Sequence, residues 1–144
     1  MKKVEVTIEM ETTPGRIIQA FTDSNMLRDW WGVERSLIEK RNGGAYVIAW
    51  NITDKGFGYV STGIINQYDA NGLLDIDNFI YLNPERSILG GMKLTVHAKE
   101  KNGKSELYLC QSNYQTGEDW DWYYEAVKQA WPVVAKTLKE YLEK

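Results

Sequence analysis

The chain ends in the segment EDWDWYYEAVKQAWPVVAKTLKEYLEK (residues 118–144), which predicts one long α-helix. Its apolar residues recur at alternating spacings of four and three, the pattern of a single helix stripe. The stripe residues are Trp120, Tyr124, Val127, Trp131, Val134, Leu138 and Tyr141. Because a helix in water is stabilised mainly by burying its apolar face, this helix requires a large partner surface elsewhere in the chain.

Three local signals refine the predicted helix. Thr116, with Asp119 three residues later, resembles a capping box at the helix start. Pro132 lacks a backbone donor and is expected to bend the helix. Trp131 comes immediately before this proline, so its indole is expected to reach the concave face of a sheet near Trp50.

The preceding chain predicts that sheet. Residues 4–11 alternate between apolar and polar side chains and predict a first strand. Thr13-Pro14 and Asp23-Ser24 each open a short helix, and Gly32 ends the second one. Further strands, separated by turn residues, are predicted at residues 33–41, 46–52, 57–68, 73–82, 92–99 and 106–114.

This order of elements predicts an α+β class. Short turns make consecutive strands antiparallel neighbours, and such a sheet needs a cover on one of its faces. The C-terminal helix is the only predicted element long enough to provide it. We therefore expect a curved antiparallel sheet of about six to seven strands that wraps around that helix. An arrangement of this kind usually leaves a cavity between the sheet and the helix.

The composition indicates an ordinary soluble globular protein, with 43% hydrophobic and 26% charged residues among 144. We expect a single domain over residues 1–144, because this length is enough to bury a core. A net charge of −3 without a basic cluster argues against a nucleic-acid surface. The single cysteine cannot form an internal disulfide, which favours the cytoplasm. No run reaches the roughly 20 apolar residues of a membrane span, so membrane insertion is not expected.

Several short motifs resemble those of a known family: Pro14-x-x-Ile17-x-x-Ala20-Phe21-Thr22-Asp23, Leu27-x-x-Trp30-Trp31, Gly43-Gly44-x-Tyr46, Gly63-x-Ile65 with Leu74, and Trp131 with Leu138-x-x-Tyr141-Leu142. On these motifs the chain is similar to the START-like, birch-pollen-allergen-like (SRPBCC) superfamily, which has the helix-grip fold. More narrowly, it resembles the branch named after the activator of heat-shock-protein-90 ATPase. The resemblance covers essentially the whole chain. Its family name implies a chaperone partner, and the superfamily also hosts enzymes of the cyclase or aromatase type.

Alternation places the residues best suited to catalysis on the solvent-facing side of the sheet. His97 shares its face with two lysines and a threonine, which argues against acid–base catalysis or a zinc site. Cys110 alternates out of phase with its apolar neighbours, and Asp75 and Asp77 are expected to face water together. No catalytic triad or cofactor fingerprint appears. We therefore predict no catalytic residue, no metal and no cofactor.

The aromatic residues are the remaining candidates for function. Six tryptophans and nine tyrosines are more than a domain of this size commonly needs, although for any single one a filled core is an equal alternative. Gln111 and Asn113 follow Leu107 and Leu109 in phase, which directs two amides toward the same interior. Asn78 is added through the resemblance, because related chains often carry an aromatic residue near it. The candidate pocket residues are Trp30, Trp31, Tyr46, Trp50, Tyr59, Asn78, Gln111, Asn113, Tyr124 and Trp131.

Aromatic walls with a few polar groups are typical of a small-molecule pocket. We therefore expect a non-enzymatic module that binds a small hydrophobic or aromatic molecule in an internal cavity. The first alternative is a co-chaperone-like partner of a heat-shock-protein-90 homologue. The second is a polyketide cyclase or aromatase, which would need an ionisable pair inside the pocket.

Overall fold

The C-terminal segment forms one helix, and the chain before it forms a single sheet and two short helices. The computed structural model describes residues 2–144. The elements in chain order are β1 (Lys3–Met10), α1 (Pro14–Thr22), α2 (Ser24–Trp31), β2 (Arg35–Ile38), β3 (Ala45–Trp50), β4 (Tyr59–Asp69), β5 (Leu73–Leu82), β6 (Leu89–Lys101), β7 (Lys104–Ser112) and α3 (Glu118–Leu142).

The seven strands form one antiparallel sheet in the order β1-β7-β6-β5-β4-β3-β2. Strands β2 to β7 follow one another as neighbours, and β1 pairs with β7, where Val4 lies opposite Gln111. Helix α3 packs against β1 and α2, while α1 packs against β6 and β7. The three helices thus cover the inner face of the sheet. The predicted α+β helix-grip fold is confirmed.

The two short helices begin and end where the sequence predicts. The Thr13 side chain accepts a hydrogen bond from the Arg16 backbone N–H, and the Asp23 side chain accepts one from Met26. Gly32 ends α2 in the left-handed conformation, with φ at 71°, where glycine has no steric cost. No helix within residues 2–144 is long and apolar enough to cross a membrane.

The buried stripe of α3 is partly different from the predicted one. Val127, Trp131 and Leu138 are buried as expected. The remaining predicted residues are only partly buried, and three others take their place in the core: Tyr123, Ala135 and Leu142. Tyr124 is only partly buried, and its ring packs edge-on against Tyr114, with centroids 5.1 Å apart. The predicted stripe was therefore displaced by one residue at the start of the helix.

The sequence placed His97, Cys110 and Asp75 on the solvent-facing side of the sheet, and the structure corrects the prediction for one of them. His97 is exposed, and Cys110 lies half-buried opposite Glu5 and Thr95. Asp75, however, is only 7% exposed, so the prediction that it faces water is wrong. Polar neighbours on the adjacent strands cover its carboxylate, which accepts hydrogen bonds from Thr95 Oγ1 at 3.0 Å and Asn66 Nδ2 at 3.3 Å. The Lys93 ammonium, 3.4 Å away, compensates its charge.

Candidate functional site

A cleft of about 300 Å³ lies between the inner face of the sheet and α3. Its walls come from α2, four strands and α3. The lining residues are Trp31, Trp50, Tyr59, Ser61, Phe79, Tyr81, Gln111, Trp122, Tyr123, Ala126, Val127, Ala130, Trp131 and Val134. Because Trp122, Ala126 and Ala130 are solvent-exposed, the cleft opens to solvent beside α3.

Six aromatic side chains follow one another around this cleft. Trp131 of α3 meets Trp31 of α2, with ring centroids 5.7 Å apart. Trp31 in turn meets Trp50 of β3 at 5.3 Å in an edge-to-face geometry. Trp50 stacks on Tyr59 of β4 at 5.2 Å. The indole of Trp131 therefore reaches the sheet as predicted, but its direct aromatic neighbour is Trp31, and Trp50 is the next ring.

The series continues along the other side of the cleft. Tyr59 lies 6.4 Å from Tyr81 of β5, and Tyr81 lies 4.6 Å from Tyr123 of α3, measured between ring centroids. We call these six residues, from Trp131 through Trp31, Trp50, Tyr59 and Tyr81 to Tyr123, the aromatic belt. Aromatic pairs at such distances stabilise one another by roughly 0.5–1.5 kcal/mol beyond the burial of their area. The belt is thus a structured wall rather than a set of independent side chains.

Gln111 of β7 closes the belt. Trp131 Nε1 donates to Gln111 Oε1 at 2.8 Å, and Gln111 Nε2 donates to the Tyr123 hydroxyl at 2.9 Å. The same amide nitrogen lies 3.3 Å from the Met92 sulfur. Gln111 is only 2% exposed, so it holds both ends of the belt from inside the protein.

Five of the ten predicted pocket residues line the cleft: Trp31, Trp50, Tyr59, Gln111 and Trp131. Two others lie in the core beneath the short helices. Trp30 Nε1 donates to the Ala20 carbonyl at 2.8 Å, and the Tyr46 hydroxyl donates to the Phe21 carbonyl at 2.8 Å. These bonds satisfy the indole N–H of Trp30 and the hydroxyl of Tyr46, and they hold both side chains away from the cleft.

The other three predicted pocket residues lie outside the cleft for local backbone reasons. Asn78, at φ 50°, occupies a register shift between β5 and β6, and this breaks the alternation and leaves it exposed. Asn113, at φ 67°, follows the end of β7 and is also exposed. Tyr124 lies on the side of α3 that faces Tyr114. Asn113 therefore does not follow the strand pattern from which its direction was inferred, and Asn78 does not line the pocket to which the resemblance assigned it.

The sequence contained signals for three cleft residues that the prediction missed. Tyr81 follows Phe79 by two residues on β5, so both share the inner face. Ser61 follows Tyr59 by two residues on β4 in the same way. Tyr123 precedes Val127 by four residues, which is one helical turn.

A cluster at the opening joins the β5–β6 loop to α3. The Asp119 carboxylate accepts a hydrogen bond from the Ser87 backbone N–H at 2.9 Å and lies 3.4 Å from Arg86. The Arg86 guanidinium stacks over the Trp122 ring, 4.0 Å from its centroid. The predicted capping box is therefore wrong: Gly117 precedes the helix without a side-chain cap, and Asp119 binds the loop instead.

This cluster predicts a pH dependence. Hydrogen bonds from Ser87, together with the Arg86 charge, hold the pKa of Asp119 below its ordinary value of 3.8. Since the folded-state pKa is the lower one, the stabilisation is complete above the unfolded pKa of about 4 and is lost as the pH falls toward the folded-state pKa. We expect Asp119→Asn to lower the free energy of unfolding by a constant amount between neutral pH and about pH 5.

Urea unfolding of both proteins at a series of pH values measures that difference. It should shrink as the pH falls below about 4, because the wild-type carboxyl then becomes protonated as well. A difference that stays constant down to strongly acidic pH would show that the Asp119 charge does not stabilise the loop.

The cleft is uncharged. None of its lining residues is Asp, Glu, His, Lys or Arg. Burial raises the pKa of the Tyr123 hydroxyl, and burial is also the main cause of the raised pKa of Tyr81. Both phenols therefore remain protonated at neutral pH. Within residues 2–144, no group of three or more His, Cys, Asp or Glu is placed to hold a metal ion.

Solved structures match the chain along almost its whole length. The solution structure of the Aha1 dimer from Colwellia psychrerythraea is 18% identical, with a TM-score of 0.73 over 99% of this chain and 97% of that chain. A protein from Chromobacterium violaceum is 17% identical, with a TM-score of 0.75 over 100% and 99%. CalU16 from Micromonospora echinospora is 13% identical, with a TM-score of 0.69 over 97% and 75%. At these identities the likeness shows a shared fold.

Comparison with protein families gives a more specific result. No curated protein matches the chain. Residues 11–143, however, match the family described as Activator of Hsp90 ATPase homolog 1-like protein. This match runs from the end of β1 to the end of α3 and includes every residue that lines the cleft. The chain therefore belongs to the Activator of Hsp90 ATPase homolog 1-like protein family.

Proposed function

We propose that this protein is a binding module that holds a small, uncharged, largely aromatic molecule in the cleft. The observation that carries the proposal is the aromatic belt, which lines an open cleft of about 300 Å³ without a single charged lining residue. Apolar walls favour ligands that lose water-exposed apolar surface on binding, and aromatic walls add favourable ring–ring contacts. A volume of this size suits a ligand with a few fused rings.

The uncharged lining also bears on the enzymatic alternative. Acid–base catalysis of a cyclisation requires a group that gains or loses a proton near neutral pH. The ionisable side chains that line the cleft are phenols, and burial raises the pKa of Tyr123 and Tyr81. The arrangement therefore supports binding better than cyclase or aromatase chemistry.

Filling the cleft tests the proposal. Ser61 is buried on the inner face of β4, and its short side chain leaves room in the cleft. We expect Ser61→Leu to weaken the binding of N-phenyl-1-naphthylamine, an uncharged fluorescent probe, by roughly tenfold, which corresponds to about 1.4 kcal/mol. The measurement is a fluorescence titration of the wild-type protein and the variant.

Thr62→Leu provides the matched control. Thr62 is the next residue on β4 and lies between Val47 and Ile80 on the opposite, outer face. A leucine at this outer position should leave probe affinity unchanged. If the wild-type protein does not bind the probe saturably, or if both variants bind it equally well, the cleft is not the ligand site. Native mass spectrometry of freshly purified protein provides an independent search for a co-purifying molecule.

Membership of the family supports a second candidate function, that of a partner of a heat-shock-protein-90 homologue. A pull-down with the purified homologue from the same organism tests it directly. Recovery of a stoichiometric complex that survives Ser61→Leu would support a chaperone function that is independent of the cleft. Failure to recover the homologue at micromolar concentrations of both proteins would count against it.

We further infer a single-domain protein that works in the cytoplasm. The first inference is supported by the one sheet to which all seven strands belong. The second is supported by Cys110, the single cysteine of the chain, which has no partner for an internal disulfide.

A further inference from the structure

Two phenol hydroxyls in the cleft have protons without an acceptor. The Tyr123 oxygen accepts a hydrogen bond from Gln111 Nε2 at 2.9 Å, and the Tyr81 oxygen accepts one from Asn83 Nδ2 at 3.1 Å. A phenol also carries one proton of its own to donate. Within residues 2–144, neither hydroxyl has an acceptor at hydrogen-bond distance.

The orientation of both amides is fixed, which makes this assignment secure. Trp131 Nε1 is a donor only, so the Gln111 atom that it contacts at 2.8 Å is the amide oxygen. The Asn83 oxygen is identified in the same way, because it accepts the Glu85 backbone N–H at 3.0 Å. Each amide therefore turns its NH₂ group toward a phenol oxygen. Consequently, each phenol proton is directed away from that amide.

The two hydroxyls lie in the same part of the cleft. The rings of Tyr81 and Tyr123 are 4.6 Å apart between centroids and inclined by 31°. Tyr123 is only 6% exposed, whereas Tyr81 is partly exposed. A buried donor without an acceptor costs free energy, which a ligand with a suitably placed acceptor recovers. Since both phenols stay protonated at neutral pH, both remain donors.

The acceptor must itself be uncharged. No cationic side chain lines the cleft, and the Arg86 guanidinium at its opening is already paired with Asp119 at 3.4 Å. A carboxylate or phenolate in the cleft would therefore lose hydration without a free positive charge to compensate it. An alcohol oxygen could also accept, but it would add a third proton that needs an acceptor of its own. A carbonyl oxygen has two lone pairs and no proton, which matches two donors.

We propose that the ligand of the cleft is an uncharged, conjugated ketone or related carbonyl compound. Its carbonyl oxygen accepts hydrogen bonds from Tyr81 and Tyr123, and its rings pack against the tryptophans of the aromatic belt. This inference rests on the proposed function, namely that the cleft binds a small molecule, and adds the chemical class of that molecule.

A matched pair of compounds tests the inference. 2-Acetonaphthone and 2-ethylnaphthalene have the same ring system and differ in the carbonyl oxygen. In titrations monitored by tryptophan fluorescence, we expect the wild-type protein to bind the ketone roughly tenfold more tightly, as expected when a ligand satisfies buried donors. Tyr123→Phe should reduce this preference to about twofold or less, and Tyr81→Phe should reduce it partly.

The control variant is Tyr124→Phe, which removes the neighbouring hydroxyl on the other side of α3 and should leave the preference unchanged. Retained binding of 2-ethylnaphthalene by the Phe variants shows that their clefts are intact. Equal affinity of the wild-type protein for the two compounds would overturn the carbonyl inference and leave the proposed function standing. Tighter binding of 2-naphthoate than of the ketone would likewise overturn it. Binding of neither naphthalene compound would overturn both proposals.

Discussion

Trp131→Ala is expected to lower the free energy of unfolding by about 3–5 kcal/mol, the usual range for truncating a buried aromatic side chain. The indole is 7% exposed and packs against Trp31 at 5.7 Å. Its removal also leaves the Gln111 oxygen without its 2.8 Å partner inside the protein. The variant thus loses apolar contacts and a buried hydrogen bond together.

Urea unfolding followed by circular dichroism measures this loss, and Val133→Ala provides the control. Val133 lies two residues further along α3 but is exposed to solvent. Its truncation should change the free energy of unfolding by no more than about 0.5 kcal/mol. If Trp131→Ala also remains within that range, the indole does not contribute to the core and the aromatic belt is not a structural unit.

Phe21→Ala is expected to have a comparable effect, again about 3–5 kcal/mol. Phe21 is fully buried at the end of α1. Its ring meets Trp30 at 5.3 Å and Trp31 at 5.9 Å, edge-on in both cases. The variant therefore removes the contact that positions α2, and with it the Trp31 wall of the cleft. We expect weaker binding of N-phenyl-1-naphthylamine as well as lower stability.

Phe57→Ala provides the matched control for this second variant. Phe57 lies in the β3–β4 loop and is 47% exposed, so the same truncation creates no internal cavity. Its free energy of unfolding should stay within about 0.5 kcal/mol of the wild-type value. A Phe21→Ala protein as stable as Phe57→Ala would mean that α1 does not depend on this ring for its packing.

Together these variants show how stability and the candidate site are connected. Trp131 and Gln111 belong both to the core and to the cleft wall, so the helix that completes the fold also completes the site. In contrast, Ser61 and Tyr81 line the cleft with hydroxyl groups whose loss removes little apolar contact, whereas the Tyr123 hydroxyl also accepts a hydrogen bond from the buried Gln111 amide. Loss of the Ser61 or Tyr81 hydroxyl should therefore separate binding from folding, while loss of the Tyr123 hydroxyl is expected to lower stability as well.

Much of the fold was predictable from local pattern. The N-caps at Thr13 and Asp23 and the glycine at the end of α2 act through neighbouring backbone atoms, so the sequence nearby contains the whole signal. Strand alternation likewise placed Trp50 and Tyr59 on the inner face, where they stack. Such signals failed where the regular period is interrupted. Asn113 adopts a positive φ after the end of β7 and is exposed, so it does not lie on the inner face that alternation predicts.

The sequence by itself thus determined the order of the elements, the helix-grip class and the inner face of each strand, because periodicity shows on which side of its own element a residue lies. Only the tertiary structure decided which residues share the cleft. The aromatic belt joins α2, β3, β4, β5 and α3, and the distances between them depend on how α3 crosses the sheet. Trp30 and Trp31 are adjacent in the chain, yet Trp30 is bound to Ala20 in the core while Trp31 faces Trp131. Which of the two tryptophans reaches the cleft depends on contacts between elements that are distant in sequence. The hydrophobic period of a single element contains no information about those contacts.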